Sequence, residues 1–206
     1  MSHVVKWLSL LLLPGAQLAC SLGGPGRPSE FYVLSPETDA MQVRSVVPGW
    51  SLGVGPVQLP DVLDRPQIVT RPAPNRIDMN EFQRWGGNMN QDMQRVLVQD
   101  LMAQLDSDQV FSYPWAREGS PLYRVTVRFF NFDGRPGEMV RLAGTWQLFE
   151  ARKSCLIVAH SFDIQETPAD KNYSGYVNAL SHGLAQLSQT IAAEVAETGK
   201  QCVTAE

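Results

Sequence analysis

The cysteine and histidine side chains of this sequence have the strongest potential for chemistry. The chain of 206 residues has three of each. Cys155 and His160 are close enough in sequence to suggest a thiolate nucleophile activated by an imidazole base. The sequence favours a structural interpretation, in which Cys155 is buried or bridged and His160 only fills space on a strand. A hydrolase that used this pair would lose turnover in Cys155→Ser or His160→Ala.

The motifs of common catalytic and cofactor sites are absent from the sequence. It contains no HExxH or CxxC spacing for a metal, no GxSxG nucleophile turn and no GxxxxGK[ST] phosphate loop. Gly53 and Gly55 lack the third glycine and the following helix that a dinucleotide site needs. We therefore expect no enzyme activity, no cofactor and no metal site.

The composition is typical of a chain that folds around one hydrophobic core. Hydrophobic residues make up 44% and charged residues 18% of the sequence. The net charge is -4. Because nucleic-acid binding requires clustered Lys and Arg residues that displace counterions from phosphates, this charge argues against a nucleic-acid partner.

The N-terminus has the pattern of a secretory signal peptide. Lys6 precedes an apolar run at 7–13, and Pro14 ends that run before Cys20. A transmembrane helix needs about 20 apolar residues, so this run is too short to span a membrane. Ala19 directly before Cys20 is typical of a bacterial lipoprotein processing site. There the cysteine sulfur takes a diacylglycerol, and the freed amine takes a further acyl chain such as palmitate.

The sequence predicts three segments. Residues 1–19 form the signal peptide, 20–30 the acylated cysteine and a flexible Gly-, Pro- and Ser-rich tether, and 31–206 a single periplasmic domain. Ten extended residues reach at most about 35 Å. Ser21 rather than aspartate follows Cys20, which is typical of lipoproteins sorted to the outer membrane. We expect a lipid-anchored protein of that membrane that faces the periplasm.

Two cysteines remain beyond the lipid attachment site, in an oxidising compartment. A Cys155–Cys202 disulfide would close a loop of about 47 residues and contribute about 4 kcal/mol in the chain-entropy model. The alternative is two free thiols, one buried and one in a frayed tail. The sequence leaves both possibilities open.

The hydrophobic pattern predicts an α+β fold. Apolar residues recur every three or four positions from 89 to 105, after Asn88 as a cap, and again from 173 to 195, which predicts two long helices. Strands are predicted near 31–34, 51–59, 67–71, 123–129, 139–150 and 156–164. The alternation of apolar and polar residues at 123–129 indicates a sheet with one solvent-exposed face. We expect a mixed, mainly antiparallel sheet with both helices packed on one face.

Several segments resemble a known family. They are Val54-Gly55-Pro56-Val57-Gln58-Leu59-Pro60, Leu63-Asp64-Arg65-Pro66-Gln67-Ile68-Val69-Thr70-Arg71, Arg84-Trp85, Tyr113-Pro114-Trp115 and Gly144-Thr145-Trp146. With the long last helix, they resemble the PqiC-type ABC-transport auxiliary lipoproteins over about 31–195. The resemblance implies an outer-membrane lipoprotein that works with a PqiB-like MCE-domain protein and an inner-membrane component. Such systems move lipids between membranes and support envelope integrity.

The resemblance also implies a ring-like homo-oligomer that receives the tip of the MCE protein. A strand punctuated by prolines at a sheet margin can offer backbone groups to another chain, which makes segment 63–71 a candidate interface. The candidate interface residues are Leu63, Asp64, Arg65, Pro66, Gln67, Ile68, Val69, Arg71, Trp85 and Trp115.

The same residues also have a structural interpretation. Pro60 and Pro66 would then only protect the strand edge, and Asp64 would pair with Arg65 or Arg71. The tryptophans would belong to the core or its rim.

Two functions from different classes follow from the sequence. The first is an accessory lipoprotein that docks a transport conduit to the outer membrane. The second is a lipid-binding carrier, in which the sheet and a methionine-containing helix enclose an acyl chain. The apolar positions of both helices look sufficient to cover one sheet and no more, which favours the first function.

Overall fold

Two β-sheets and two helices form the fold. The computed structural model of the chain describes residues 27–38, 49–115 and 120–197. The strands are β1 (Glu30–Tyr32), β2 (Leu52–Gln58), β3 (Gln67–Ala73), β4 (Arg76–Trp85), β5 (Val110–Ser112), β6 (Tyr123–Gly134), β7 (Val140–Glu150) and β8 (Cys155–Glu166). The helices are α1 (Met89–Gln104) and α2 (Tyr173–Ala196). The predicted α+β class is confirmed.

The larger sheet has five strands in the order β5-β2-β6-β7-β8. Its last three strands form a long antiparallel meander, whereas β2 pairs in parallel with β5 and β6. Apolar side chains on one face of this sheet pack beneath α1 and α2, including Val125, Val127, Trp146 and Leu148. Arg128 on the other face is exposed. The one-sided burial predicted for this sheet is therefore present.

Asparagine side chains begin both helices. Asn88 Oδ1 accepts the Gln91 N–H at 3.0 Å, and Asn172 Oδ1 accepts the Gly175 N–H at 2.8 Å. Each bond satisfies a backbone donor that has no partner within the helix. The predicted cap at Asn88 is confirmed, and both helices form where the apolar period predicts them.

The smaller sheet has three strands in the order β1-β4-β3. β3 and β4 form an antiparallel hairpin, and β1 pairs in parallel with the end of β4. The hydrophobic pattern does not predict β4, because Asp78, Asn80 and Glu81 are residues that strands disfavour. The strands therefore form two sheets where we expected one. β4 becomes a strand because it pairs with β1 and β3.

Candidate docking surface

The segment predicted as an interface begins as a tight loop between β2 and β3. The Leu63 N–H donates to the Pro60 carbonyl at 2.8 Å, and the Arg65 N–H donates to the Leu63 carbonyl at 2.9 Å. The Trp85 N–H donates to the Pro66 carbonyl at 2.7 Å and ties the loop to β4. These bonds and the two prolines restrict the loop backbone.

Many side chains of this segment serve the core. Leu63, Ile68, Val69 and Trp85 are buried and join the main hydrophobic cluster. Buried side chains hold the segment in place and do not reach a partner. The surface members of the predicted set are Asp64 and Pro66, with Arg65, Gln67 and Arg71 half-buried.

β3 is an edge strand of the small sheet, as the prolines predict, but part of that edge is covered. β3 contacts β6 of the large sheet. The Tyr176 hydroxyl, on α2, donates to the Val69 carbonyl at 3.0 Å. Burial raises the pKa of Tyr176, so its hydroxyl remains a proton donor. The Val69 carbonyl is therefore occupied within the domain.

Arg71 pairs with Asp133 of β6. Its Nε and Nη2 donate to Asp133 Oδ2 at 2.9 and 2.7 Å, and its Nη1 donates to the Pro74 carbonyl at 3.2 Å. The hydrogen bonds to Asp133 raise the pKa of the guanidinium. The predicted alternative of an Arg71 pair with Asp64 is wrong, because the fold brings β6 beside β3. Arg71 clamps the small sheet onto the large one.

The outer face of the small sheet carries exposed apolar side chains. Phe31 lies opposite Arg84 in the parallel β1–β4 pair, so the two side chains share a face, and Phe82 lies two residues before Arg84 on β4. Val33 packs against Gly86 on the same side. Phe31 is 66%, Val33 57% and Phe82 42% exposed. We call these three side chains the outer patch.

Trp115 lies elsewhere in the molecule. Its ring packs on Gly53 of β2, where an added Cβ would lie 2.8 Å from a ring carbon. The Tyr113 ring meets it edge-on at 5.2 Å between centroids. β2 belongs to the five-stranded sheet, so the fold does not bring Trp115 together with the segment 63–71.

A strap without regular secondary structure, residues 33–37, follows β1 and is bound by both helices. Its backbone N–H groups donate to helix side chains, Leu34 to Asp92 (2.8 Å), Ser35 to Ser181 (3.1 Å) and Glu37 to Asp100 (2.8 Å). Arg95 Nη2 donates to the Leu34 carbonyl at 2.7 Å. The sequence interpretation missed this function of the helix polar residues. Asp100 and Gln104 on the apolar side of α1 were the available signal.

Asp100 of α1, which accepts the Glu37 N–H of the strap, has a perturbed pKa. Burial raises its pKa to about 6, against the opposing effect of the hydrogen bond from the Glu37 N–H. The Ser188 hydroxyl is close enough to lower this pKa, but Oδ2 of Asp100 makes no hydrogen bond of good geometry among the described residues, nor does Oε1 of Gln104, one helical turn later. A protonated Asp100 carboxyl would supply an O–H donor in a buried region where Oε1 of Gln104 is an acceptor with no donor in the described part of the chain.

The raised pKa of Asp100 predicts a pH-dependent stability. The native state holds this proton more tightly than the unfolded chain, so the contribution of Asp100 is fully present below about pH 4 and is lost as pH rises towards about 6. Asp100→Asn should be more stable than the wild type by about 2 kcal/mol at pH 7.5 and equally stable near pH 4. Urea unfolding across this pH range measures the difference. Asp61→Asn, at an exposed carboxylate, should follow the wild type throughout.

The structure separates the two residues of the possible Cys/His pair. Cys155 begins β8 and His160 follows five residues later on the same strand, about 16 Å away at the rise of a β-strand. The His160 ring packs on Trp146 at 5.2 Å between centroids, and its Nε2 lies 3.8 Å from Glu194 Oε2. His160 is therefore not placed to activate Cys155.

The other two cysteines lie outside the described residues. This applies to Cys20, the predicted lipid attachment site, and to Cys202, the predicted disulfide partner of Cys155. Lipidation and the disulfide both stay predictions.

Residues 27–38, 49–115 and 120–197 show neither a metal-binding cluster nor a membrane-spanning helix. These segments hold no group of three or more His, Cys, Asp or Glu side chains arranged for a metal ion. Neither of their helices combines the length and apolar character needed to cross a membrane.

Comparison with known proteins defines the class of this protein. Residues 32–192 match the family of the ABC-type transport auxiliary lipoprotein component, and the chain belongs to this family. The resemblance drawn from the sequence motifs is confirmed. The family is one of accessory lipoproteins of transport systems and is not an enzyme family.

Solved structures show the same fold. Protein XCC0632 from Xanthomonas campestris is 13% identical, with a TM-score of 0.66 over 83% of this chain and 97% of that chain. An uncharacterized protein is 23% identical, with a TM-score of 0.67 over 82% of this chain and 99% of that chain. No curated protein sequence matches this chain.

Proposed function

We propose that this lipoprotein is an outer-membrane accessory component of an MCE-type intermembrane lipid transport system. It docks the periplasmic conduit of a PqiB-like MCE-domain partner to the outer membrane and so supports envelope integrity. The family match over residues 32–192 carries the proposal, because it names an auxiliary lipoprotein of a transporter. Cys20 is the lipid attachment site in this proposal, and residues 21–30 form the tether.

The exposed part of the β2–β3 loop is the proposed contact with the MCE partner. Asp64 and Pro66 are exposed, and Gln67 Nε2 donates to the Glu81 carboxylate at 3.2 Å. The buried Leu63 and the loop hydrogen bonds hold these groups in one geometry, which lowers the entropy cost of binding. A ring of identical subunits, which the family resemblance implies, would present several copies of this loop together.

The geometry gives less support to a lipid carrier. The space between the large sheet and the helices is filled by buried side chains such as Leu101, Trp146 and Leu184. A groove of about 450 Å³ lies on the opposite sheet face, where Gln58, Thr126, Arg128, Thr145 and Gln147 mix polar groups with the apolar Pro56, Val127 and Phe130. Such a lining suits an acyl chain poorly.

Affinity purification of the full-length protein from mildly solubilised envelopes tests the docking function. We expect mass spectrometry to find an MCE-domain protein and an acylated Cys20. Asp64→Lys with Gln67→Lys should reduce recovery of the MCE protein, because rim residues set the rate of association. Glu138→Lys reverses a charge in the β6–β7 connection, a change of two charge units against three in the double variant, and should leave recovery unchanged.

Two results would contradict the proposal. A lipoprotein that emerges alone, or with an unrelated outer-membrane assembly, would remove the docking function. Equal recovery from all variants would remove the proposed loop contact and leave the accessory function in place.

A further inference from the structure

The outer patch combines exposure with a special position in the chain. Phe31 and Val33 lie at the start of the folded domain, and Phe82 lies diagonally across from Phe31 on β4, two residues before its register partner Arg84. Isolated apolar side chains are common on protein surfaces, but a cluster on one face marks a contact site. The inward-facing neighbours Tyr32 and Trp85 pack towards α2 and the core, so the orientation of the outer patch is determined by the sheet.

We propose that the outer patch rests on the surface of the lipid bilayer that holds the anchor, with Phe31 and Phe82 among the headgroups. The inference relies on the lipid attachment at Cys20 that is part of the proposed function. It adds a second, non-covalent membrane contact, which would orient the domain relative to the bilayer.

The connection to the anchor supports a bilayer as the occupant of this face. Phe31 is eleven residues after Cys20 in the sequence, so the intervening chain keeps it within about 40 Å of the acylated residue. At such a distance the effective concentration of the patch at the bilayer is in the millimolar range. Three partly exposed side chains bind a membrane weakly when the protein is free, but binding that is weak in solution becomes persistent under this tethering.

The charges around the outer patch nearly balance, which indicates that the patch binds through its apolar side chains. Glu30 and Glu81 lie on the strands of the patch, together with Arg84, and Arg27 precedes them. These opposite charges largely cancel, so the electrostatic attraction that draws basic segments to anionic lipids is absent. The contact should therefore be the same on neutral vesicles and on vesicles that contain phosphatidylglycerol.

Hydroxyl-radical footprinting of the full chain tests the inference. The acylated protein is reconstituted in phosphatidylethanolamine vesicles, with and without phosphatidylglycerol, and Cys20→Ser is studied in the same buffer without lipid. We expect severalfold slower oxidation of Phe31 and Phe82 on vesicles of both compositions. Phe111 and Phe130, which are 40% and 56% exposed on the five-stranded sheet, should be oxidised at unchanged rates.

Each alternative has its own result. Equal oxidation of Phe31 and Phe82 with and without vesicles overturns the inference. Strong protection in the lipid-free Cys20→Ser chain means that a second copy covers the patch, and protection that requires an added MCE protein means that the partner covers it. Both results overturn the bilayer contact.

The footprinting experiment also separates this inference from the proposed function. The mass of the peptide with residue 20 is read from the same digest. An unmodified Cys20 overturns both the anchor and the bilayer contact. An acylated Cys20 with an unprotected patch overturns the bilayer contact alone.

Discussion

Replacing Arg71 with alanine is expected to lower the free energy of unfolding by about 3 kcal/mol. The Asp133 side chain is only 3% exposed and receives two hydrogen bonds from the guanidinium. Without Arg71 that carboxylate would stay buried with no cation to compensate its desolvation. Urea denaturation of the wild type and Arg71→Ala at pH 7 and low salt measures the loss.

The ion pair between Arg76 and Asp78, at the start of β4 directly after the β3–β4 turn, provides a matched control. Its side chains are 69% and 49% exposed. Exposed pairs contribute little, so Arg76→Ala should change stability by less than about 0.5 kcal/mol. Equal, small effects of both substitutions would mean that water reaches Asp133 once Arg71 is removed, and Arg71 would then not be a clamp between the sheets.

The structural role of Arg71 also affects how interface experiments are interpreted. Arg71 belongs to the segment that we expected to contact a partner, but it holds the small sheet against β6. A loss of binding in Arg71→Ala would therefore report a disturbed fold. Asp64 is exposed, and the half-buried Gln67 bonds Glu81 within the small sheet and makes no bond to β6 among the described residues, so these two residues make better probes of docking.

Leu34→Ala is expected to cost about 3 kcal/mol of stability. The Leu34 side chain is 1% exposed, and its backbone is bound on both sides by Asp92 and Arg95. Removing the side chain leaves a cavity at the point where the strap meets the helices. Thermal and urea unfolding measure the effect. Limited proteolysis near residue 38 should become faster as well, because the strap would open more often.

Val33 offers the control for this substitution, one residue earlier in the same strap. Its side chain is 57% exposed, so Val33→Ala should change stability by less than about 0.5 kcal/mol. If Leu34→Ala were as mild as Val33→Ala, the hydrogen bonds to Asp92, Ser181 and Asp100 would suffice to hold the strap. The apolar contact would then be dispensable.

The strap and the clamp together define how force from a membrane anchor would reach the domain. A pull on the N-terminal tether acts first on β1 and the strap, which the helices hold through side-chain acceptors. The small sheet then transmits it to the large sheet through Arg71 and Asp133.

The features determined by local sequence were predicted well. Both helices follow from a three- to four-residue apolar period over many turns, and Asn88 as a cap needs only its neighbours in the chain. The strands of the meander follow from alternation that pairing with adjacent strands preserves. The family resemblance rests on contiguous motifs and was likewise readable from the sequence.

The candidate site was predicted less well because its surroundings come from distant segments. The local pattern around 63–71 identifies an edge strand with prolines, but it does not identify Tyr176 and Asp133 as its partners. Burial of Leu63, Ile68 and Val69 likewise depends on elements far along the chain. The sequence of a Pro-rich edge strand does not report whether elements from elsewhere in the chain cover its edge.

By itself the sequence determined the α+β class, the two helices, the meander and the family, since each depends on contacts between residues close in the chain or on contiguous motifs. Only the tertiary structure decided that the strands divide into two sheets, that Arg71 serves as a clamp and that Asp100 is buried beneath the strap. These features depend on which distant groups meet, and burial then sets their energies. The outer patch belongs to the second group, because β4 is held beside Phe31 only through pairing that its polar sequence does not predict.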